Sequence, residues 1–149
     1  FYGYDFFVTP DVLIPKPDTE ILVEKTLEVI WNNSFYKNKD FFFTDVCTGS
    51  GCVGISIALQ IIEKTNSCPK VFLTDISPNA LEIAKKNVNH LIPKEFQNQF
   101  SFLLWFYIIS QLSNHFDGKF FPYSFFPLDS YYEFLLGNYD LSLQANQEI

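Results

Sequence analysis

A glycine-rich turn between an apolar strand and an apolar helix is the feature that most constrains this chain. The strand is predicted over residues 41–46, the turn is Thr48-Gly49-Ser50-Gly51, and the helix is predicted over residues 53–62. Glycine has no Cβ, and the first N–H groups of a helix lack intrahelical partners, so the backbone of such a turn can approach a ligand closely. The pattern therefore predicts a ligand site where the first strand ends.

A second unit of the same kind follows directly. A short apolar strand over residues 71–74 closes with Asp75, and Ser77-Pro78 then supplies an N-cap and a first-turn proline for an amphipathic helix. Successive strand–helix units form parallel strands joined by right-handed crossovers. The two units therefore predict an α/β fold, the start of a Rossmann-like doubly wound sheet.

The segments on either side of these units are predicted as follows. Residues 1–17 read as an extended or hairpin lead that ends at two prolines. Asp18 is predicted to cap an amphipathic helix that ends at Asn32-Asn33-Ser34, and residues 101–109 are predicted to form a third buried strand. The tail beyond that strand is rich in Phe, Tyr and Pro and shows no helical period.

Composition counts against several classes of protein. The net charge is −7, which disfavours direct binding to nucleic acid, and the longest apolar run, residues 102–109, is too short for a membrane helix. Cys47, Cys52 and Cys68 lack the C-x-x-C spacing of a zinc site, so no metal is predicted. Their odd number favours reduced thiols in a cytosol-like compartment.

Two acidic residues narrow the choice of ligand. Asp75 ends the second predicted strand, 24 residues after Gly51, and is placed to accept hydrogen bonds from the ribose hydroxyls of an adenosine group. Asp45 lies at the mouth of the glycine turn, where a carboxylate repels a pyrophosphate and suits a cationic amino acid. The alternative for Asp45 is a structural role as a helix cap or loop residue, and the same alternative holds for Asp75.

Three segments together resemble a known family. They are LIPKPDTE at residues 13–20, DVCTGSGC at 45–52 and TDISPNAL at 74–81, and they are similar to the HemK-like peptide chain release factor glutamine methyltransferases. The resemblance covers residues 1 to about 100. It implies an enzyme with a methyltransferase domain over residues 18–149, incomplete in this chain, that uses S-adenosylmethionine.

The reaction implied by the resemblance is methyl transfer to the side-chain amide of a glutamine in peptide chain release factors. Release factor is then the partner, with no direct contact to nucleic acid or membrane, in the cytoplasm or, in a eukaryote, an organellar matrix. Cofactor contacts are expected at Asp45, Cys47, Thr48, Gly49, Ser50, Gly51, Asp75, Ile76 and Trp105.

Among the places where the chain departs from the family, two concern the loop and the catalytic motif. The family's Asn-Pro-Pro-Tyr motif is reduced to Phe120-Phe121-Pro122-Tyr123, so Pro122 and Tyr123 are the only catalytic candidates. Cys47 stands where the family usually has glycine, which predicts a strained backbone or crowding of the cofactor. A position beside a helix N-terminus also predicts a lowered pKa for the Cys47 thiol.

Three other readings stay open from the sequence. The sheet could serve as a non-catalytic cofactor-binding or scaffold module, with the aromatic tail contacting a partner. The spacing of Gly49, Gly51 and Gly54 also satisfies G-x-G-x-x-G, which is typical of NAD-dependent oxidoreductases. A nucleic-acid adenine methyltransferase shares the expected chemistry, but the acidic composition counts against it.

Overall fold

A computed structural model describes residues 1–104 of the chain. Three strands, β1 (Phe42–Val46), β2 (Lys70–Asp75) and β3 (Phe100–Leu104), form a parallel sheet in the order β1-β2-β3. Val46 pairs with Thr74, and Asp75 pairs with Leu104, so the carboxyl ends of the three strands are aligned at one edge.

The helices are α1 (Glu20–Asn32), α2 (Cys52–Thr65) and α3 (Pro78–Leu91), and short 3₁₀ turns occupy Pro17–Thr19, Phe35–Lys37 and Lys94–Gln99. α2 and α3 contact each other as well as the sheet, so they cover the same face of it, and α1 packs against α2. Within residues 1–104, no helix combines the length and apolar character needed to cross a bilayer.

The core lies between this helical layer and the sheet. Leu73 of β2, Ile55 of α2 and Ile30 of α1 are fully buried. Burying a side chain of this size stabilises the fold by about 1.5–3 kcal/mol relative to leaving it exposed. Apolar residues at period two in the strands and period three to four in the helices thus meet in one cluster.

Most of the predicted elements are confirmed. The α/β class, the parallel strands and both strand–turn–helix units are present, and α1 ends at Asn32. The Ser77 hydroxyl accepts a hydrogen bond from the N–H of Ala80 at 3.3 Å, and Pro78 is the first residue of α3, as the cap pattern predicted. The third strand begins at Phe100, and the predicted residues 105–109 lie outside the described part.

The predicted cap at Asp18 is wrong. Asp18 lies inside the 3₁₀ turn Pro17–Thr19, and Thr19 is the N-cap of α1, without a side-chain hydrogen bond. Proline is favoured at the first position of a helical turn, so Pro17 opens its own short turn and delays the α-helix to Glu20. A local pattern could not distinguish the two starting points.

The N-terminal lead, residues 1–17, runs over the outer side of the helices. The N–H of Tyr2 donates to Glu20 of α1 at 2.7 Å, and the Tyr4 hydroxyl donates to Glu63 of α2 at 2.8 Å. Further along, Asp11 accepts a hydrogen bond from Asn79 near the start of α3 at 3.0 Å. At Asp11 the lead therefore lies at the same edge of the sheet as the glycine turn.

Candidate functional site

The carboxyl ends of β1 and β2 bring the predicted site residues together. The glycine loop, residues 47–51, joins β1 to α2, and its Thr48 N–H donates to the carbonyl of Thr74 in β2 at 2.9 Å. Asp45 near the end of β1 and Asp75 at the end of β2 both contact this loop. Ligand sites of open α/β sheets lie outside the carboxyl ends of the strands, as this loop does.

Three loop residues adopt left-handed backbone conformations. Gly49 has φ +55° and Gly51 has φ +82°, which glycine adopts without strain. A Cβ at Gly51 would lie 2.8 Å from Cδ1 of Ile55 and 3.3 Å from Cβ of Ala84, whereas a Cβ at Gly49 would meet nothing within 4 Å. Gly51 is therefore required by packing, and the space beside Gly49 is open.

Asp75 joins the glycine loop to the start of α3. One carboxylate oxygen accepts from the N–H of Gly49 and the other from the N–H of Ser77, each at 2.9 Å. The residue is only 8% exposed. An ionised carboxylate has about four acceptor sites, so these two bonds leave capacity for ligand hydroxyls.

Asp45 supports the first turn of α2 from across the loop. Its Oδ2 accepts from the Thr48 hydroxyl at 2.6 Å and from the N–H of Gly54 at 3.0 Å. Gly54 is the third residue of α2, so Asp45 satisfies one of the helix donors that lack an intrahelical partner. These contacts give Asp45 the structural role that the sequence left open as an alternative.

Burial raises the pKa of Asp45, and the Asp75 carboxylate raises it further, against the opposing effect of the bonds from Thr48 and Gly54. Ionising both carboxyl groups at the loop is therefore unfavourable, because they repel each other. A cationic group that binds there relieves this repulsion.

Cys47 is exposed and has φ +61°, so the predicted backbone strain is present. The predicted lowering of its pKa is wrong. Partial burial, followed by the carboxylates of Asp75 and Asp45, raises the pKa of the thiol. Burial and the two carboxylates thus act against the partial positive charge of the helix N-terminus, whose effect falls off within one turn.

Replacing Cys47 by Gly is expected to stabilise the chain by about 1 kcal/mol. A left-handed non-glycine residue costs of order 1–3 kcal/mol, and the greater entropy of glycine in the unfolded chain offsets part of the gain from removing that strain. Ser34→Gly is the matched control, since Ser34 has φ +55° in a turn outside the loop. Urea unfolding should show a gain for both variants. Equal or lower stability of Cys47→Gly would contradict strain at this residue.

Apolar side chains border the acidic edge. Ile76, directly after Asp75, is 59% exposed, and Leu104, paired with Asp75 in the ladder, is 37% exposed. They offer a surface on which a flat apolar ring could pack. The expected contact at Trp105 and the catalytic candidates Pro122 and Tyr123 lie outside the described residues.

Sequence reasoning missed Asn87. This residue of α3 is fully buried and hydrogen-bonds both to the glycine loop and to the N-terminal lead. The one available signal was a polar residue on the apolar face of α3, three residues after Ala84 and next to Val88, both of which are buried.

Comparison with known proteins gives the following. No protein-family model matches the chain. Release factor glutamine methyltransferases match it at 44% identity over 88 residues in Mycoplasma mycoides, at 48% over 87 in Clostridium acetobutylicum and at 43% over 100 in Leptospira interrogans. These matches cover 59%, 58% and 67% of this chain and 28%, 27% and 32% of the respective relatives. The chain thus spans less than a third of the length of these curated relatives.

Solved structures were also found, among them the following two. The Pyrococcus horikoshii protein PH1948 has a TM-score of 0.46 at 14% identity and covers 68% of this chain and 45% of its own. The N-terminal domain of human METTL16 has a TM-score of 0.44 at 15% identity, covering 68% of this chain and 36% of its own. The fold assignment rests instead on the strand order and loop of this chain.

The parallel sheet with its glycine loop defines the class, a Rossmann-like α/β fold, and the similarity to methyltransferases comes from the sequence matches. The sequence matches then show which proteins the chain is similar to. Over about 60% of its length, the chain is similar to release factor glutamine methyltransferases, which confirms the resemblance seen in its motifs.

Proposed function

We propose that this chain carries the S-adenosylmethionine-binding half of a release factor glutamine methyltransferase. The complete protein would then methylate the side-chain amide of a glutamine in a release factor, in the cytoplasm or an organellar matrix. The observation that carries the proposal is Asp75, whose carboxylate joins the glycine loop to α3 within the segment that matches the methyltransferases. The name of those relatives supports the choice of substrate.

The residues at this edge fit the proposed cofactor. S-adenosylmethionine combines an adenosine, whose ribose hydroxyls suit Asp75, with a cationic amino acid, which suits the acidic pair. Within residues 1–104, the peptide between Gly49 and Ser50 makes no hydrogen bond, so its N–H and C=O keep their capacity to bond a ligand. Exposed Ile76 provides apolar surface beside the ribose acid.

The cofactor supplies an electrophilic methyl group when it is bound. The amide nitrogen that receives it is a poor nucleophile, so the protein must orient this nitrogen and accept its hydrogen bonds. We assign the groups shown here to cofactor binding. Pro122 and Tyr123 stay candidates for the substrate side.

Calorimetric titration with S-adenosylhomocysteine, with NADH as the comparison ligand, tests the proposal. We expect saturable binding of S-adenosylhomocysteine and none of NADH, because the acidic loop disfavours a pyrophosphate. Saturable NADH binding alone would instead favour an oxidoreductase. Binding of S-adenosylhomocysteine without methyl transfer by a longer protein containing this chain would support the scaffold alternative.

A further inference from the structure

Asn87 connects three segments that are far apart in sequence. Its Nδ2 donates to the carbonyl of Ser50 in the glycine loop at 2.8 Å and to the carbonyl of Phe7 in the lead at 3.0 Å. Its Oδ1 accepts from the N–H of Phe7 at 2.7 Å. The partners are 37 and 80 residues away, so no local requirement of α3 accounts for them.

The orientation of the Asn87 amide is fixed by its partners. Exchanging Oδ1 and Nδ2 would place a donor against the N–H of Phe7 and an acceptor against two carbonyls. The residue is 0% exposed, so each lost bond would leave a buried polar group without a partner. Asn87 thus holds both the lead and the loop in one geometry.

At the glycine loop, Asn87 makes one of the two hydrogen bonds that hold a single peptide group. The peptide between Ser50 and Gly51 is held at its C=O by Asn87 and at its N–H by the carbonyl of Thr48, at 2.8 Å. The neighbouring Gly49–Ser50 peptide shares Ser50 with it and makes no hydrogen bond within the described residues. The direction in which this peptide points therefore depends on how Ser50 is held.

On the lead side, Asn87 binds both backbone groups of Phe7, in the manner of a strand partner. The Phe7 ring also packs on His90, with ring centroids 4.8 Å apart, and lies 5.2 Å from the ammonium of Lys86. α3 therefore holds the lead at Phe7, and Asn87 is the contact that continues from the lead to the loop.

We infer that Asn87 is a positioning residue that couples the seating of the N-terminal lead to the geometry of the glycine loop, so that a ligand of this loop binds tightly only when the lead is in place. The inference rests on the proposed function for the identity of that ligand. The coupling between lead and loop itself does not depend on it.

A change in the lead tests the coupling without altering Asn87. Phe7→Pro removes the N–H that donates to Asn87, and Phe7→Ala is the matched control, because it removes the same ring and keeps the N–H. We expect S-adenosylhomocysteine to bind about fivefold more weakly to Phe7→Pro than to Phe7→Ala, as for the loss of one hydrogen bond. The amide NMR resonance of Gly51, which belongs to the fixed peptide, should also differ between the two variants.

A double-mutant cycle with Asn87→Ala tests whether Asn87 carries the effect. In the Asn87→Ala background, the difference between the two Phe7 variants should disappear, since the connecting side chain is gone. Asn89→Ala, an exposed Asn of the same helix, should preserve the difference.

Equal affinity and an equal Gly51 resonance in the two Phe7 variants would overturn the inference, and so would a difference that persists in Asn87→Ala. If the unaltered chain binds no S-adenosylhomocysteine, the proposed function fails. The comparison of the Gly51 resonance between the two Phe7 variants then tests the coupling of lead and loop by itself. The same comparison is used if the Asn87→Ala variant does not fold.

Discussion

Replacing Asp75 by Asn is expected to weaken S-adenosylhomocysteine binding about 30-fold, which corresponds to the roughly 2 kcal/mol of a charge-assisted hydrogen bond. The amide can accept from only one of the two N–H groups that face the carboxylate oxygens, those of Gly49 and Ser77. The NH₂ group of the new Asn is then placed against the other N–H, so that two donors face each other. The loop and the ribose contact are therefore disturbed together, and calorimetric titration measures the loss.

Asp40→Asn is the matched control for this variant, because Asp40 is exposed and lies before β1, at the opposite end of that strand from the loop. It should leave the affinity unchanged while removing the same charge. Unchanged affinity in Asp75→Asn would remove the main support for a ribose-binding role. A thermal unfolding scan of each variant separates loss of binding from loss of fold.

Replacing Gly54 by Ala is expected to destabilise the chain by about 1–3 kcal/mol, the usual cost of overpacking a core. A Cβ at this residue of α2 would lie 2.7 Å from Cδ2 of Leu73 and 3.0 Å from both Cβ and Oδ2 of Asp45. The sheet would have to move away from the helix, and the hydrogen bond from the Gly54 N–H to Asp45 would lengthen. Urea unfolding measures the change.

Ser56→Ala provides the comparison for Gly54→Ala. It introduces the same residue two positions later in α2, and it removes a buried hydroxyl that has no hydrogen-bond partner among the described residues. We expect it to be neutral or slightly stabilising. A gain in stability for Gly54→Ala, as helix propensity alone predicts, would mean that the close approach of α2 to the sheet is not obligatory.

The glycine in the third position of the G-x-G-x-x-G pattern therefore has a packing role that does not depend on the type of ligand. Close approach of the first helix to the sheet is needed wherever this loop occurs in a parallel α/β fold. The pattern by itself could not distinguish a methyltransferase from an oxidoreductase for this reason. The motifs LIPKPDTE and TDISPNAL, together with the sequence matches, made that distinction.

The sequence predicted that Asp45 and Asp75 lie at the glycine loop, but not the contacts that each makes there. Their role as ligand groups stays a prediction. Asp45 and Asp75 were both placed at the loop as ligand groups, and both reach it. Only the structure shows that Asp45 uses one oxygen to support α2, and that burial, together with the two carboxylates, raises the pKa of Cys47. These effects depend on distances between β1, β2 and α2, which a linear pattern does not contain.

The sequence by itself determined the two strand–turn–helix units, the Ser77 cap and the apolar faces, because these depend on neighbours within a few residues and on the periods of strands and helices. The tertiary structure decided the start of α1 after Asp18, the direction in which the pKa of Cys47 shifts, and the contacts of Asn87. Pro17 opens a short turn before α1, and burial together with two carboxylates raises the pKa of Cys47. The buried amide of Asn87 bonds to residues 37 and 80 positions away, and these contacts form only when the chain has folded.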